Sequence, residues 1–108
     1  IYTVKSKEQR VQHVIVENST FKHSNYGNML KNTDDIEFRN CKFINGITNI
    51  IDCNKVIFRD CEFIADTKPC MVSFSQLPSS SVHFINCTID NRNNQNWASA
   101  FINVYDNV

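Results

Sequence analysis

Glycine and proline are nearly missing from this chain, with two of each in 108 residues, while asparagine occurs fifteen times. Tight turns therefore fall to asparagine and aspartate, which bond to their own backbone and tolerate left-handed conformations. Net charge is missing as well. Eleven basic residues balance eleven acidic ones, which argues against gripping nucleic acid or an anionic membrane, since both need a positive field. No apolar run approaches the ~20 residues that span a bilayer, so membrane insertion is not expected. Ile1 does not open a charged, then apolar, then small-residue leader pattern, and the chain reads as a mature product or an excised piece.

Several chemical signatures are missing too. The five cysteines form no C-x-x-C pair and no mixed Cys/His cluster, so no metal site and no cofactor is expected. His13, His23 and His83 are scattered, and no Ser-His-Asp, Cys-His or His-x-His arrangement stands at a meaningful spacing. Glycine-rich phosphate loops are absent.

What is present is a repeat. Four segments superimpose residue for residue: VIVENSTF from Val14 to Phe21, IEFRNCKF from Ile36 to Phe43, VIFRDCEF from Val56 to Phe63, and VHFINCTI from Val82 to Ile89. The shared Asn/Asp positions are Asn18, Asn40, Asp60 and Asn86, spaced 22, 20 and 26 residues apart. Such a period marks a solenoid. Apolar residues alternate within each repeat, the period-2 sign of strands. The Asn/Asp position turns a corner, and a third apolar patch follows: Met29 and Leu30, Ile50 and Ile51, Met71 to Phe74, Ala100 to Val104. Three strands per coil, stacked in register about 4.8 Å apart, place Val14, Ile36, Val56 and Val82 in one inward column. Val16, Phe38, Phe58 and Phe84 form a second, and Phe21, Phe43, Phe63 and Ile89 a third. Outside, Glu17 falls beside Arg39 and Lys42 beside Glu62, with Arg39 beside Arg59 as the one unfavourable neighbour.

This repeat resembles the right-handed parallel β-helix of the pectate-lyase-like superfamily over essentially the whole chain. The resemblance implies an all-β domain spanning residues 1–108, of about four coils. It also implies an asparagine ladder at Asn18, Asn40 and Asn86, weakened at Asp60, whose carboxylate has no N–H to donate. The fold itself hosts lyases, hydrolases, adhesins and viral spikes. A solenoid needs its open ends covered. Lys5 to His13 is long enough for a short helical turn, but no convincing cap is present. The expectation is a segment of a longer β-helix, or ends covered by a homotrimer or by flanking domains of a parent chain.

Cys41, Cys61 and Cys87 fall in one inward column, close enough for disulfides by distance but with parallel side chains. They are expected as buried free thiols acting as small hydrophobes, which suits folding in a reducing cytoplasm before service outside the cell or on a virion surface. Asn18-Ser19-Thr20 and Asn86-Cys87-Thr88 match the glycosylation sequon. Both asparagines are ladder positions, where a buried, bonded amide is expected to escape modification.

Two sets of residues are candidate sites. In polysaccharide enzymes of this fold, acids cluster on the outer face of the first strand and the turn after it. The matching positions are Lys31, Asp52, Ser73 and Asn103, with Asp34 and Asp35 in the turn. Asp52 with Asp34 or Asp35 could supply the two carboxylates that glycoside hydrolysis needs about 5 to 9.5 Å apart. The second set lies in the polar stretch Asp90 to Ser99. Trp97 offers a flat apolar face to a sugar ring, Asn94 and Gln95 offer amides to its hydroxyls, and Arg92 suits an acidic sugar. The competing reading is a tryptophan folded back over the side of the helix. The leading expectation is a structural, glycan- or receptor-binding segment of an extracellular fibre, of the kind seen in phage tailspike-like adsorption proteins. Its partner would be a polysaccharide or cell-surface glycan, and binding is expected rather than catalysis. The alternative is part of a secreted polysaccharide lyase or glycoside hydrolase acting on acidic or cell-wall glycans.

Overall fold

A computed structural model of the chain describes residues 2–4, 8–22, 27–75, 82–90 and 102–104. The strands follow one another as β1 (Tyr2–Val4), β2 (Val11–Glu17) and β3 (Thr20–Lys22), then β4 (Asn28–Lys31), β5 (Thr33–Arg39) and β6 (Lys42–Ile44). Next come β7 (Gly46–Ile51), β8 (Asn54–Arg59) and β9 (Glu62–Ile64), and finally β10 (Cys70–Ser75), β11 (Val82–Ile85), β12 (Thr88–Asp90) and β13 (Ile102–Val104). Every third strand pairs in parallel, giving three sheets. The first runs β1-β4-β7-β10-β13, the second β2-β5-β8-β11 and the third β3-β6-β9-β12. The chain is a parallel β-solenoid, and the four strands stacked in the second and third sheets are separated by three turns. Among the described residues there is no helix, and Val11 to His13, the end of the stretch suited to a helical cap, belong to β2.

The core is built of stacked like residues. Val14, Ile36 and Val56 stand level, with Val82 next, and Val16, Phe38, Phe58 and Phe84 form the adjacent column. Phe38, Phe58 and Phe84 lie ring on ring, with centroids 5.2 and 5.1 Å apart. Phe21, Phe43 and Phe63 stack likewise at 5.1 and 5.0 Å, and the two stacks meet edge to face. Both arrangements suit the aromatic quadrupole. One coil's ring is thus the floor for the next, and Ile36, Phe38, Val56 and Phe58 are fully buried.

The two corners that flank the second sheet are made by single left-handed residues that are not glycine. Asn18, Asn40, Asp60 and Asn86 have φ between 52° and 55° and join the second sheet to the third; Asn32 and Asp52 (φ 52° and 50°) join the first to the second. Asn and Asp adopt this region more readily than other side-chain-bearing residues. The Nδ2 of Asn40 donates to Asn18 Oδ1 at 2.8 Å, and that of Asn86 to Asp60 Oδ1 at 2.6 Å. Each donor thus points one coil back. Asp60 has no amide to continue the pattern to Asn40, and among the described residues no side-chain bond joins these two. The side chains of Asn18, Asn40, Asp60 and Asn86 are exposed, so the Asn18 and Asn86 amides are not buried as a ladder position implies; at this corner the left-handed residue turns its side chain out of the coil, whereas Asn32 and Asp52 are buried at theirs.

The residue after each corner is small and turns inward. Ser19 Oγ donates to the carbonyl of Glu17, and Thr33 Oγ1 to that of Lys31. Cys41, Cys53, Cys61 and Cys87 each place Sγ 3.4 to 3.5 Å from the carbonyl two residues back, and 3.2 to 3.6 Å from a carbonyl of the preceding coil. All five cysteines are free thiols. Burial pushes Cys61 up to about 12 and Cys70 up to about 11, and raises Cys53 as well.

Candidate functional site

Two clusters of charged side chains lie on the outer surface, and both are made by stacking. The first sits where the first sheet turns into the second. Val11 is level with Thr33, and Asp34 with Asn54, so Arg10, Asn32 and Asp52 occupy one corner column on successive coils. Arg10 reaches past Asn32 to the coil beyond. Its Nη1 lies 3.2 Å from Asp52 Oδ2, and its Nη2 donates to the Asp52 carbonyl at 2.7 Å. The same guanidinium grips Asp34 in a fork, Nε to Oδ2 at 2.7 Å and Nη2 to Oδ1 at 2.8 Å. Asn54 Nδ2 adds a donor to Asp34 Oδ1 at 3.1 Å. The Arg10 hydrogen bond is the main reason the Asp34 carboxyl is held below the usual carboxylate range, and the two acids raise Arg10 in turn. One cation thereby ties three coils together.

Asp52 and Asp34, two of the acids singled out in the sequence, are brought together around Arg10. Asp35 is not; it points into a different cluster. The register also regroups the expected acidic face. Lys31 stands level with Ile51, which is level with Ser75, while Ser73 is level with Asn49 and Asn103. Asp52 belongs to the corner, where it is only 7% exposed, and does not share a column with Lys31, Ser73 and Asn103. Asp34 and Asp35 lie within β5 and not in a turn, because the corner takes a single residue, Asn32, and the strand resumes at Thr33. Arg92, Asn94, Gln95 and Trp97 lie outside the described residues.

The second cluster lies on the outer face of the second sheet. Inside β2, β5 and β8 one residue is left-handed at the same level of each strand: His13 (φ 57°), Asp35 (φ 59°) and Lys55 (φ 55°). This kink interrupts the alternation of faces, so two outward residues separate inward Thr33 from Ile36, and likewise Cys53 from Val56. It turns three polar side chains outward, one above another. His13 Nδ1 meets Asp35 Oδ2 at 2.6 Å, and Lys55 Nζ lies 3.6 Å from Asp35 Oδ1. His13, then Lys55, holds the Asp35 carboxyl below its ordinary range.

Two residues further along, Ile15, Glu37, Ile57 and His83 stand level across the sheet. Glu37 pairs with Arg39 and with Arg59, and the Arg39 hydrogen bond is the chief cause of its lowered pKa. This pairing resolves the Arg39–Arg59 juxtaposition, since a carboxylate stands between the two cations. The kink and these rows enclose a shallow depression of about 290 Å³, lined by His13, Ile15, Asp35, Glu37, Lys55 and Ile57, with Arg39 also contributing. Ile15 is 55% exposed there. Among the described residues no three His, Cys, Asp or Glu side chains converge so as to hold a metal ion.

His13, Lys55 and Arg10 were not candidates in the sequence, because their partners lie one or two coils away. A signal for the kink exists nonetheless. VQHVIV, TDDIEF and CNKVIF share an inward residue, two outward ones, then strict alternation. Compared with known protein families, the chain matches no family model, and compared with curated proteins it matches none.

Proposed function

We propose that this chain is a structural and glycan- or receptor-binding segment of an extracellular fibre, comparable to tailspike-like adsorption proteins, on a right-handed parallel β-helix of the pectate-lyase-like kind. One observation carries the reading: the solenoid holds an outer sheet face on which donors, acceptors, the exposed Ile15 and the half-buried Ile57 are fixed by stacking around a ligand-sized depression. Rows set by backbone register are a rigid platform, and rigid polar groups bind with less ordering entropy. The acids considered for catalysis support a scaffold role better. Asp34 is forked by Arg10 and Asp52 is buried against the same cation, whereas a general base must be free to take a proton.

The test is incubation with a panel of bacterial and plant polysaccharides, measuring binding together with release of reducing or unsaturated ends. Binding without release is the expected result. Release of ends that disappears in Asp52→Asn would replace the proposal with the lyase or hydrolase reading, and neither binding nor release would leave a structural spacer.

A further inference from the structure

The depression on the second sheet has a charge pattern that selects its occupant. Its lining holds two acids, Asp35 and Glu37, and two bases, Lys55 and Arg39, and each acid already faces a base of the same site. Formal charges cancel within one small site. An ionic ligand would gain from one pair of groups and be repelled by the other, so neither a polyanion nor a polycation is favoured. A neutral molecule rich in hydroxyls meets a different surface. Carboxylate oxygens accept from its O–H groups, and Lys55 and Arg39 donate to its oxygens. Ile15 and Ile57 flank Glu37 in register, offering apolar contact on either side of an acceptor, which suits the C–H face of a sugar ring.

Size and rigidity agree with this chemistry. About 290 Å³ stands at the lower end of the ~300–1,000 Å³ typical of small-molecule sites, enough for one or two sugar rings and not for a large ligand. The polar groups are positioned in advance: Asp35 is held from both sides by His13 and Lys55, and Glu37 by Arg39 and Arg59. His13 and Lys55 are held left-handed on either side of Asp35 at one level of three adjacent strands; Lys55 lacks the tolerance that Asn, Asp and His have for this region, and such conformations concentrate at functional sites.

We infer that the depression bounded by His13, Ile15, Asp35, Glu37, Lys55 and Ile57 is a subsite for a neutral pyranose. The inference rests on the glycan-binding reading above and deepens it by naming the site and the sugar class. The experiment is methyl NMR of the isoleucines in the 108-residue chain, titrated with maltohexaose, cellohexaose and an N-acetylglucosamine hexamer, and in parallel with hexagalacturonate. At least one neutral oligosaccharide is expected to shift the Ile15 and Ile57 methyls, with an affinity that changes less than twofold between 50 and 500 mM salt. Asp35→Asn and Ile15→Asp should each weaken binding tenfold or more while the far-UV circular dichroism spectrum stays unchanged; Ile15 is exposed, so its replacement leaves the core intact. Neutral-sugar binding unaffected by both variants would overturn this site and leave the glycan-binding reading standing. Shifts produced by hexagalacturonate alone, falling steeply with salt, would overturn the sugar class. No shift with any of the four, beside binding of a larger polysaccharide in the panel, would also overturn the subsite, whereas failure of the whole panel would remove both readings.

Discussion

Replacing Arg10 is the sharpest perturbation this fold offers, because one side chain joins three coils. In Arg10→Ala, three contacts to carboxylate oxygens and one to the Asp52 carbonyl disappear together. A hydrogen bond to a charged group contributes about 1.5–3 kcal/mol when well shielded. The Arg10 and Asp34 side chains keep about a fifth of their surface in water, while Asp52 keeps 10%. Solvent therefore screens the Asp34 fork in part, and the main loss comes from Asp52, left buried without its counter-ion. The expected destabilisation is about 2–3 kcal/mol at pH 7. Arg10→Lys keeps the charge and loses the fork, so it should fall between the two. Acid gives a second reading of the same contact. The folded-state pKa of Asp34 lies below its unfolded value of ~3.9. Its contribution is thus fully present above that value and is lost as pH falls through the folded pKa. The gap between wild type and Arg10→Ala should narrow progressively below pH ~4. Urea unfolding followed by far-UV circular dichroism at pH 7, 4 and 2.5 measures both effects. A difference under about 0.5 kcal/mol at pH 7, or one that stays constant into acid, would refute the clamp.

Three further expectations follow from the stacks and corners. Phe58→Ala removes a fully buried ring held between Phe38 and Phe84 and should cost about 3–5 kcal/mol by the same unfolding assay, against well under half of that for Ile15→Ala on the surface. Asp60→Asn supplies the missing N–H toward Asn40 Oδ1 while still accepting from Asn86; a rise in stability of up to about 1 kcal/mol is expected, and a loss would show that the charge-assisted bond from Asn86 outweighs the new rung. Alkylation of the native protein followed by mass spectrometry should modify Cys87, the one cysteine that is not buried, well before Cys53, Cys61 and Cys70, whose burial keeps them as neutral thiols. Equal rates at all of them would argue against the closed core.

The columns were legible in the sequence because an inward residue repeats its type. Val, Phe, Cys and Phe recur at matched positions in VIFRDCEF and its relatives, since each must pack on its own copy one coil away, and a mismatch would leave a cavity or a clash. Outward residues carry no such constraint. Asp34 stands level with Gln12 and Asn54, and Lys55 with Asp35 and His13, so no resemblance along the column announces the contact. Nothing in Ile50-Ile51-Asp52 reveals that the first-sheet strand ends at Ile51 and that the backbone turns left-handed at residue 52, which carries the carboxylate off the first-strand face to the corner.

The kink at His13, Asp35 and Lys55 shows what kind of pattern bridges that gap. An extended strand alternates faces, so an apolar position followed by two polar ones and then strict alternation requires one residue to leave the β region. When the interruption recurs in consecutive coils, the residues at it stack whatever their types. Hydrogen-bond and charge complementarity then becomes a test of the register: His13 and Lys55 lie on opposite sides of Asp35 and both face its carboxylate, as two carboxylates directly stacked would not be stable. The same logic places Glu37 between Arg39 and Arg59, where simple column reading gives only a repulsion between arginines. In a solenoid much of the surface chemistry is therefore written between coils, and it is read by aligning the interruptions of the repeat as carefully as the repeat itself.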